Sequence, residues 1–351
     1  MNIAHDNRYS RQSQLHWIGA EGMAKIRQAH ICIVGIGALG CQLAELCCRA
    51  GVGRLTLLDR DWVELSNLQR QCLFTQRHAA EAIPKALAAA EVLRTFNTEV
   101  DVVAIVSELN PDFVRQQPQL FDDVTLILDG SDNFACRFLL NEIAIARDIP
   151  YIYGAAVATE GCVMPVIPGQ TACLSCLMLS QNGPPTEASC ATSGVLASSI
   201  LQTAAAQFTF ALKVLTGHQQ ACRSQWHYFD LWQQQQYSVT VPIRHDCPTC
   251  QQLQFPLLNG AYSGYSQLLC GRSAMQLYHA SLNRQSLRKL AERFAAQVKR
   301  SSAFHLELDW CFAQQHHSVT LFQDGRLVVA NCTDEHQAQQ VLTSVLGGLQ
   351  G

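Results

Sequence analysis

The sequence predicts a Rossmann-like α/β protein with a doubly wound, mostly parallel sheet. Three observations support this fold class: a βαβ unit with a glycine-rich turn, later strands that are apolar along almost their whole length, and helices between those strands. Two Cys-x-x-Cys pairs add a four-cysteine metal site to this sheet. Residues 262–351 follow a different pattern and predict a small C-terminal α+β appendage.

The first βαβ unit begins with the strand His30–Val34, which Gly35 interrupts. A helix from about Ala38 to Ala50 and the strand Arg54–Asp59 follow. Pro84 opens a helix over Lys85–Phe96, because a proline in the first turn sacrifices no hydrogen bond. Further strands are predicted at Val100–Val106, Val124–Asp129, Tyr151–Gly154, Gly161–Ile167 and Trp226–Leu231, the last three in a mixed part of the sheet.

The appendage is predicted from its alternation of short elements. A strand reaches from about Leu268 to Tyr278, and a helix, a strand and a hairpin follow before a last helix. Asp324-Gly325 is a two-residue hairpin turn, since Gly and Asp tolerate the backbone that such turns require. The other elements are the helix Ser286–Val298, the strand Phe304–Asp309 and the helix Glu335–Leu346.

Composition restricts the class of protein. The chain has 351 residues, of which 48% are hydrophobic and 15% charged, which predicts a globular protein with a large core. A net charge of −3 does not favour nucleic acid or an anionic membrane as partner. The polar N-terminus lacks a secretory signal, and Gly194–Leu215 is interrupted by polar residues, so it predicts a buried helix rather than a membrane span. With sixteen cysteines, we expect a soluble protein in the reducing cytoplasm.

A nucleotide site is predicted at Gly35-x-Gly37-x-x-Gly40, which follows a strand and opens a helix. Glycines let backbone amides approach a phosphate, and the helix N-terminus favours negative charge. Asp59 ends the next strand, where an acid accepts hydrogen bonds from ribose hydroxyls, or alternatively caps the strand. NAD satisfies these features as well as ATP does.

Cations near the βαβ unit favour ATP. Arg70 and Lys85 follow the unit and Arg11 precedes it, and displacement at phosphorus requires that a triphosphate be neutralised. Arg8 precedes it too, where a surface salt bridge is an equal alternative. Asp132 follows the end of a strand and is a candidate Mg²⁺ ligand, although a helix cap explains Asp132 and the adjacent Asn133 as well.

Four cysteines have the spacing of a zinc site. Cys173/Cys176 and Cys247/Cys250 form two knuckles, and four thiolates close a tetrahedral shell with no open position. We therefore expect a structural zinc ion, with redox-active pairs as the alternative. Between the knuckles, Cys190 lies in a loop just before a helix, where a thiol is activated as a nucleophile, although many loop thiols are inert.

Over residues 8–250 the chain resembles the ThiF/MoeB/HesA family of ubiquitin-activating-like adenylyltransferases. The similar segments are Arg8-Tyr9-Ser10-Arg11-Gln12, Gly35 to Gly40, Ala50-Gly51-Val52-Gly53, Ser66 to Gln71, Pro84-Lys85, Ser131-Asp132-Asn133 and both knuckles. The tail, with Leu269-Cys270-Gly271-Arg272, resembles the extension of Bacillus-type ThiF proteins, which favours thiamine thiazole biosynthesis.

The resemblance implies that residues 1–255 form an adenylation domain with zinc knuckles and that residues 262–351 form a separate small domain. It implies an ATP and Mg²⁺ site made of Gly35, Gly37, Gly40, Asp59, Asp61, Ser66, Asn67, Leu68, Gln69, Arg70, Lys85, Asp132 and Asn133. Arg11 is expected to reach the phosphates in a neighbouring subunit of a homodimer. Cys190 matches a loop cysteine that such proteins use in sulfur transfer.

The implied reaction is adenylylation of the C-terminal glycine of a ubiquitin-like sulfur carrier protein of the ThiS type, which ends in Gly-Gly. Pyrophosphate is released, and a sulfur donor such as a cysteine desulfurase then yields a thiocarboxylate. Alternatives within this chemistry are a MoaD-like carrier for molybdopterin or a ribosomal peptide. An NAD-dependent dehydrogenase and a catalytically silent scaffold are the alternatives from other classes. The intact set Arg11, Arg70, Lys85 and Asp132 argues against the scaffold.

Overall fold

The computed structural model describes residues 8–178 and 194–260 and, further on, residues 266–269, 274–279, 282, 286–302, 304–322, 325–332 and 334–350. The chain divides into two compact units, with the boundary between residues 261 and 262. An eight-stranded sheet forms the centre of the first unit, and a six-stranded sheet forms the centre of the second.

The first sheet has the strand order β3-β2-β1-β4-β5-β6-β7-β8. Its strands are β1 (His30–Val34), β2 (Arg54–Asp59), β3 (Asp101–Val106), β4 (Leu126–Asp129), β5 (Tyr151–Val157), β6 (Glu160–Val166), β7 (Gln225–Asp230) and β8 (Gln235–Thr240). The strands from β3 to β5 are parallel, and β6, β7 and β8 continue the sheet in antiparallel pairing. The fold is therefore the mostly parallel α/β sheet that the sequence predicts.

Helices cover both faces of this sheet, which explains the apolar strands. They are α1 (Ser10–Ser13), α2 (Gly19–Gln28), α3 (Ala38–Ala50), α4 (Gln76–Ala80), α5 (Lys85–Phe96), α6 (Pro111–Gln116), α7 (Phe134–Arg147), α8 (Leu174–Met178) and α9 (Ala197–Leu215). Along β1, Ile31 and Ile33 belong to one hydrophobic core, and Cys32 and Val34 belong to the other. Alternate residues of a strand point to opposite faces, so β1 is buried on both sides.

Several predicted bounds are confirmed, among them β1, β2, α3 and α5. The edges of the sheet differ from the prediction. Among the described strands β3 pairs with β2 alone, and it is half-exposed, so its apolar sequence does not mean burial on both faces. Strand β8 is fully exposed and four of its six residues are polar, so hydrophobic patterning missed it. None of the described helices is long and apolar enough to cross a bilayer.

The second unit has the strand order β11-β12-β13-β14-β10-β9. Its elements are β9 (Ser266–Leu269), β10 (Ala274–Tyr278), α10 (Leu287–Arg293), β11 (Val298–Ser301), β12 (His305–Phe312), β13 (Gln315–Phe322), β14 (Arg326–Val329) and α11 (Glu335–Gln350). Apolar residues of both helices and of the sheet form one core. The α+β appendage is thus present as a unit with its own hydrophobic centre.

Two predicted elements of this unit are wrong in their extent. The single strand Leu268–Tyr278 is two antiparallel strands, β9 and β10. The predicted helix Ser286–Val298 stops at Arg293, because Val298 begins a strand and pairs with Leu308 of β12. Tertiary pairing overrides local helix propensity here. The predicted hairpin is confirmed by the pairing of β13 with β14, although Asp324 lies outside the described residues.

Candidate nucleotide and metal sites

The glycine-rich loop lies where the direction of winding in the sheet reverses. Strand β1 has β2 on one side and β4 on the other, and all three are parallel. Ligands of open α/β sheets bind beyond the carboxyl ends of the strands at such a point. The loop follows β1, Asp59 ends β2, and Asp129 ends β4. The glycine-rich loop and Asp59 therefore lie together at the crevice beyond the carboxyl ends of β1, β2 and β4.

Three glycines of this crevice stand where a side chain would be strained or would clash, whereas a fourth glycine faces open space. Gly35 has a φ of +84°, which side chains rarely adopt. A Cβ at Gly40 would lie 1.9 Å from the carbonyl oxygen of Gly35, and one at Gly130 would lie 2.1 Å from the same atom. At Gly37, the nearest atoms to an added Cβ are 4.0 Å away. The space in front of Gly37 is thus open, as the approach of a phosphate requires.

Asp59 holds the glycine-rich loop in place. Its carboxylate accepts hydrogen bonds from the backbone N–H of Ile36 at 2.6 Å and of Asp61 at 2.6 Å. Burial raises the pKa of Asp59 above its usual range, and the nearby cation of Lys85 opposes that effect. Asp59 therefore fixes the loop, and its predicted contact with ribose stays a prediction.

Lys85 is a buried cation surrounded by carboxylates. Its side chain is 8% exposed, and its Nζ lies 3.1 Å from a carboxylate oxygen of Asp61. Burial alone would lower the pKa of Lys85, but Asp61, Asp59 and Asp132 outweigh burial and raise that pKa. Lys85 is therefore positively charged at neutral pH. Through it, the structure brings together acids that follow two different strands, β2 and β4.

Asp132 and Asn133 start helix α7. Asn133 is the N-cap, and its side chain accepts a hydrogen bond of 2.8 Å from the backbone N–H of Cys136. The capping alternative thus holds for Asn133. Asp132 is exposed and lies within electrostatic range of Lys85 and Arg60. One accessible carboxylate at this place fits Mg²⁺, which takes one or two carboxylates plus phosphate oxygens.

The segment 66–70 forms a tight turn beside the crevice. Asn67 is buried, and its amide oxygen accepts a hydrogen bond from the backbone N–H of Glu64 at 2.9 Å. Arg70 is partly exposed and donates to the carbonyl oxygen of Ser66 at 3.0 Å. Ser66 and Gln69 are exposed, and Leu68 is half-buried against the core. The turn leaves the Arg70 guanidinium accessible to a ligand.

Arg11 is exposed on the short helix α1, far from its own chain's glycine-rich loop. The neighbouring Gln12 side chain donates to the carbonyl oxygen of Ala50 at 3.1 Å, at the C-terminal end of α3. The glycine-rich loop precedes the other end of this 13-residue helix, which is about 18 Å long. The structure thus does not bring Arg11 to the loop within one chain. Cys190 lies outside the described residues.

Three further polar residues of the crevice were missed as site residues. Gln71 is 4% exposed, and its Oε1 has no hydrogen-bond partner in the part of the chain that the structure describes. Arg137 is buried between the rings of Phe134 and Tyr153 and donates to the carbonyl oxygen of Ser131 at 3.1 Å. Arg60 is largely buried and pairs with Glu108. Gln71 directly follows Arg70 at the end of the segment Ser66 to Gln71, and this position is the one sequence feature that could have identified it as a site residue. For Arg60 and Arg137, no neighbouring residue indicates that the side chain is buried.

The four knuckle cysteines meet in the structure. Their sulfur atoms all lie within 4.8 Å of one another. The Cys173–Cys247 sulfur distance is 3.6 Å, the Cys176–Cys250 distance is 3.5 Å, and the Cys173–Cys176 distance is 4.0 Å. A tetrahedron with Zn–S bonds of about 2.3 Å has sulfur–sulfur edges of about 3.8 Å. The arrangement therefore fits a four-thiolate zinc site.

The four thiols lie close enough to influence one another's ionisation. Hydrogen bonds with Cys173 and Cys247 lower the pKa of Cys176. Thiolate is the form of cysteine that binds zinc. The described cysteines are all free.

Comparisons with known proteins agree with the fold and with the family that the sequence resembles. Residues 9–252 match the ThiF family. The chain is 37% identical over 347 residues to the "Sulfur carrier protein ThiS adenylyltransferase" of Bacillus subtilis, covering 97% of this chain and 99% of that protein. It is 32% identical over 249 residues to the "Sulfur carrier protein adenylyltransferase" of Thermus thermophilus, covering 70% of this chain and 90% of that protein.

Among solved structures, E. coli MccB with ATP is similar in fold. The TM-score is 0.60 at 21% sequence identity, covering 70% of this chain and 75% of that chain. Since the family match spans more than half of the sequence and includes both the glycine-rich loop and the knuckles, the chain belongs to the ThiF family.

Proposed function

We propose that the chain is a nucleotidyltransferase that adenylylates the C-terminal glycine carboxylate of a ThiS-like sulfur carrier protein and releases pyrophosphate. The observation that carries this proposal is the buried Lys85, which interacts with Asp59, Asp61 and Asp132 beside a glycine-rich loop. A site with a fixed cation, accessible backbone amides and an exposed carboxylate suits a metal-bound triphosphate.

The carrier class is supported by the extent of the similarity. The match to the ThiS adenylyltransferase covers 97% of this chain, so it continues through most of the second unit. A ThiS-like carrier, and hence thiamine thiazole biosynthesis, is therefore our first choice. A MoaD-like carrier is the alternative substrate, and it has to be assayed beside the ThiS-like carrier.

The reaction needs positioning and charge neutralisation more than proton transfer. An α-carboxyl group has a pKa of about 3.5, so the carrier terminus is already ionised at neutral pH. It attacks the α-phosphorus of ATP, the new bond joins its oxygen to phosphorus, and pyrophosphate leaves with the electrons of the broken P–O bond. No general base is required, which fits a site dominated by cations and carboxylates.

Several residues of the crevice have distinct tasks in this reaction. The backbone N–H of Gly37 binds a phosphate oxygen, since the N–H of Gly35 already donates to the carbonyl oxygen of Leu58 at 2.8 Å. Lys85 and Arg70 stabilise the negative charge that develops on the phosphates. Asp132 would hold Mg²⁺, which neutralises and orients the leaving pyrophosphate when bound. Asn67 and Asn133 shape the turn and the helix start that border the site.

We further propose a homodimer in which Arg11 acts on the partner subunit's nucleotide. Its exposure, and its position about 18 Å along α3 from the loop, support a role outside its own site. The four knuckle cysteines would hold one structural Zn²⁺. A cytoplasmic location is proposed because the described cysteines are free and a zinc thiolate site favours a reducing compartment.

Sulfur transfer is the step after adenylylation. A persulfide on a donor such as a cysteine desulfurase would attack the carrier acyl-adenylate, displace AMP and give an acyl disulfide. Attack of a thiol on the donor sulfur of this disulfide would then release the thiocarboxylate and leave a new disulfide between that thiol and the donor. Cys190 is proposed to take part in this step, on its sequence position alone. A Cys190→Ser variant that adenylylates normally but forms no thiocarboxylate supports this role, and one that forms it at the parent rate contradicts it.

Mass spectrometry of the carrier tests the proposed function. The enzyme, ATP and Mg²⁺ are incubated with purified ThiS-like or MoaD-like carriers, each with and without its terminal glycine. We expect the intact ThiS-like carrier to gain one AMP group and the shortened one to stay unchanged. Modification of the MoaD-like carrier alone would refute the ThiS assignment, and protection of the fold by NAD but not by ATP would refute the reaction class.

A further inference from the structure

The two knuckles are joined by contacts that involve none of their sulfur atoms. Ser175 lies between Cys173 and Cys176, and Thr249 occupies the same position between Cys247 and Cys250. The Ser175 and Thr249 hydroxyl oxygens are 2.8 Å apart although 74 residues separate them in sequence. Their side chains are buried, with residue exposures of 2% and 3%.

Helix α7 completes this connection. The side chain of Asn141 is fully buried; its oxygen accepts a hydrogen bond from the backbone N–H of Leu174 at 2.8 Å. Its nitrogen donates to the hydroxyl oxygen of Ser175 at 3.1 Å. Because Ser175 accepts from Asn141, its own proton is available for Thr249. One chain of hydrogen bonds thus connects α7, the first knuckle and the second knuckle.

The next residue of α7 holds the chain that leaves the second knuckle. The carboxylate of Glu142 accepts hydrogen bonds from the backbone N–H groups of Leu258 at 2.8 Å and Leu257 at 3.3 Å. Two adjacent residues of α7 therefore bind the first knuckle and the segment that follows the second knuckle. Helix α7 is a rigid support, since its residues from Arg137 to Ala144 are buried.

We propose that Asn141, Ser175 and Thr249 form a latch that positions the two knuckles for zinc. Two ligand pairs that are 74 residues apart lose chain entropy when they are brought together. The hydrogen bonds of the latch offset this loss without any contribution from the sulfur–metal bonds, so the ligands are already in place when zinc binds. The latch therefore strengthens zinc binding and slows zinc release. This inference rests on the proposed zinc site and is independent of the adenylylation reaction.

Zinc release to a strong chromophoric chelator, from the full chain, tests the latch. Thr249→Val keeps the branched shape and removes the hydroxyl, and Thr249→Ser keeps the hydroxyl and is the matched control. Groups behind metal ligands typically contribute about 10–100-fold to metal affinity. We therefore expect release from Thr249→Val to be about 10–100-fold faster than from the parent, and release from Thr249→Ser to stay near the parent rate.

The double variant Ser175→Ala/Thr249→Val separates the latch from general loosening. Ser175→Ala removes the hydrogen bond to Thr249 and also the one from Asn141, so adding Thr249→Val to Ser175→Ala should accelerate zinc release little further. Parent-like release from Thr249→Val, or equal acceleration by Thr249→Ser, would overturn the proposal.

A measurement on the unaltered protein decides the question even if a variant does not fold. The Leu174 amide donates to Asn141, so it should stay protected from hydrogen exchange after zinc is removed. Loss of that protection on zinc removal would overturn the latch. A parent protein that holds no zinc would also overturn it, and would leave the adenylylation proposal standing.

Discussion

Replacement of Gly37 by alanine should separate nucleotide binding from folding. The nearest atoms to a Cβ at this position are 4.0 Å away, so a methyl group meets no steric obstacle. Gly37 is the N-cap of α3 with a ψ of −144°, and alanine is less suited than glycine to both the N-cap and this backbone conformation. We therefore expect the free energy of unfolding to fall by about 1 kcal/mol, which lowers the melting temperature (Tm) by about 2–4 °C.

ATP binding should respond much more strongly to the same change. The methyl group would fill the open space through which the backbone amides approach a phosphate. Loss of one charge-assisted hydrogen bond costs about 1.5–3 kcal/mol, so the Kd for ATP should rise by at least about tenfold. The variant would thus be stable but impaired in nucleotide binding.

Gly40→Ala is the matched control, because the same methyl group has no space there. Its Cβ would lie 1.9 Å from a backbone oxygen of Gly35, so the loop would have to move. Overpacking of this kind costs about 3 kcal/mol or more, which lowers Tm by about 6–12 °C. Calorimetry without ATP and titration with ATP measure both effects. Parent-like ATP affinity of Gly37→Ala, or an unchanged Tm of Gly40→Ala, would refute the structure of this loop.

Three further predictions concern charge, protonation and metal. Arg70→Ala should slow adenylylation at least about a hundredfold with an unchanged Tm. The control Arg77→Ala removes a nearby exposed arginine and should adenylylate at the parent rate. Equal adenylylation rates of the two variants would contradict the role of Arg70. Burial lowers the pKa of His30 in the folded protein. The stabilising effect of the neutral imidazole is therefore complete above the unfolded-state pKa of about 6.5, and it is lost as pH drops through the folded-state pKa. Between about pH 8 and pH 5 the Tm of His30→Gln should fall less steeply than that of the parent, and an identical slope would count against this explanation. Cys173→Ser should abolish stoichiometric zinc in metal analysis, and retention of one equivalent would disprove the four-thiolate site.

Much of the first unit could be predicted because its signals are local and consistent. The βαβ unit, the Pro84 start of α5 and the two Cys-x-x-Cys pairs each depend on a few neighbouring residues. Strand β8 could not be found this way, because an exposed edge strand needs no apolar alternation and depends on its partner β7. In the second unit, Val298 belongs to a strand because of its distant pairing with Leu308, which local propensity does not reveal.

The candidate site shows the same division. Its residue types follow from motifs, but their environments do not. Sequence alone cannot show that Lys85 is buried among carboxylates, or that Gln71 is buried with no partner for its oxygen among the described residues. These properties arise from packing between elements that are distant in sequence. The latch residues Ser175 and Thr249 are a further case, since each is an ordinary spacer until the fold brings the two knuckles together.

ATP–pyrophosphate exchange tests the central claim most directly. The purified enzyme is assayed with a ThiS-like carrier and with a MoaD-like carrier, each with and without its terminal glycine. The account predicts exchange that depends on the ThiS-like carrier and is abolished when its last glycine is removed, because the carboxylate then no longer reaches the α-phosphorus. Absence of exchange with both carriers, in an enzyme that binds ATP, would contradict it.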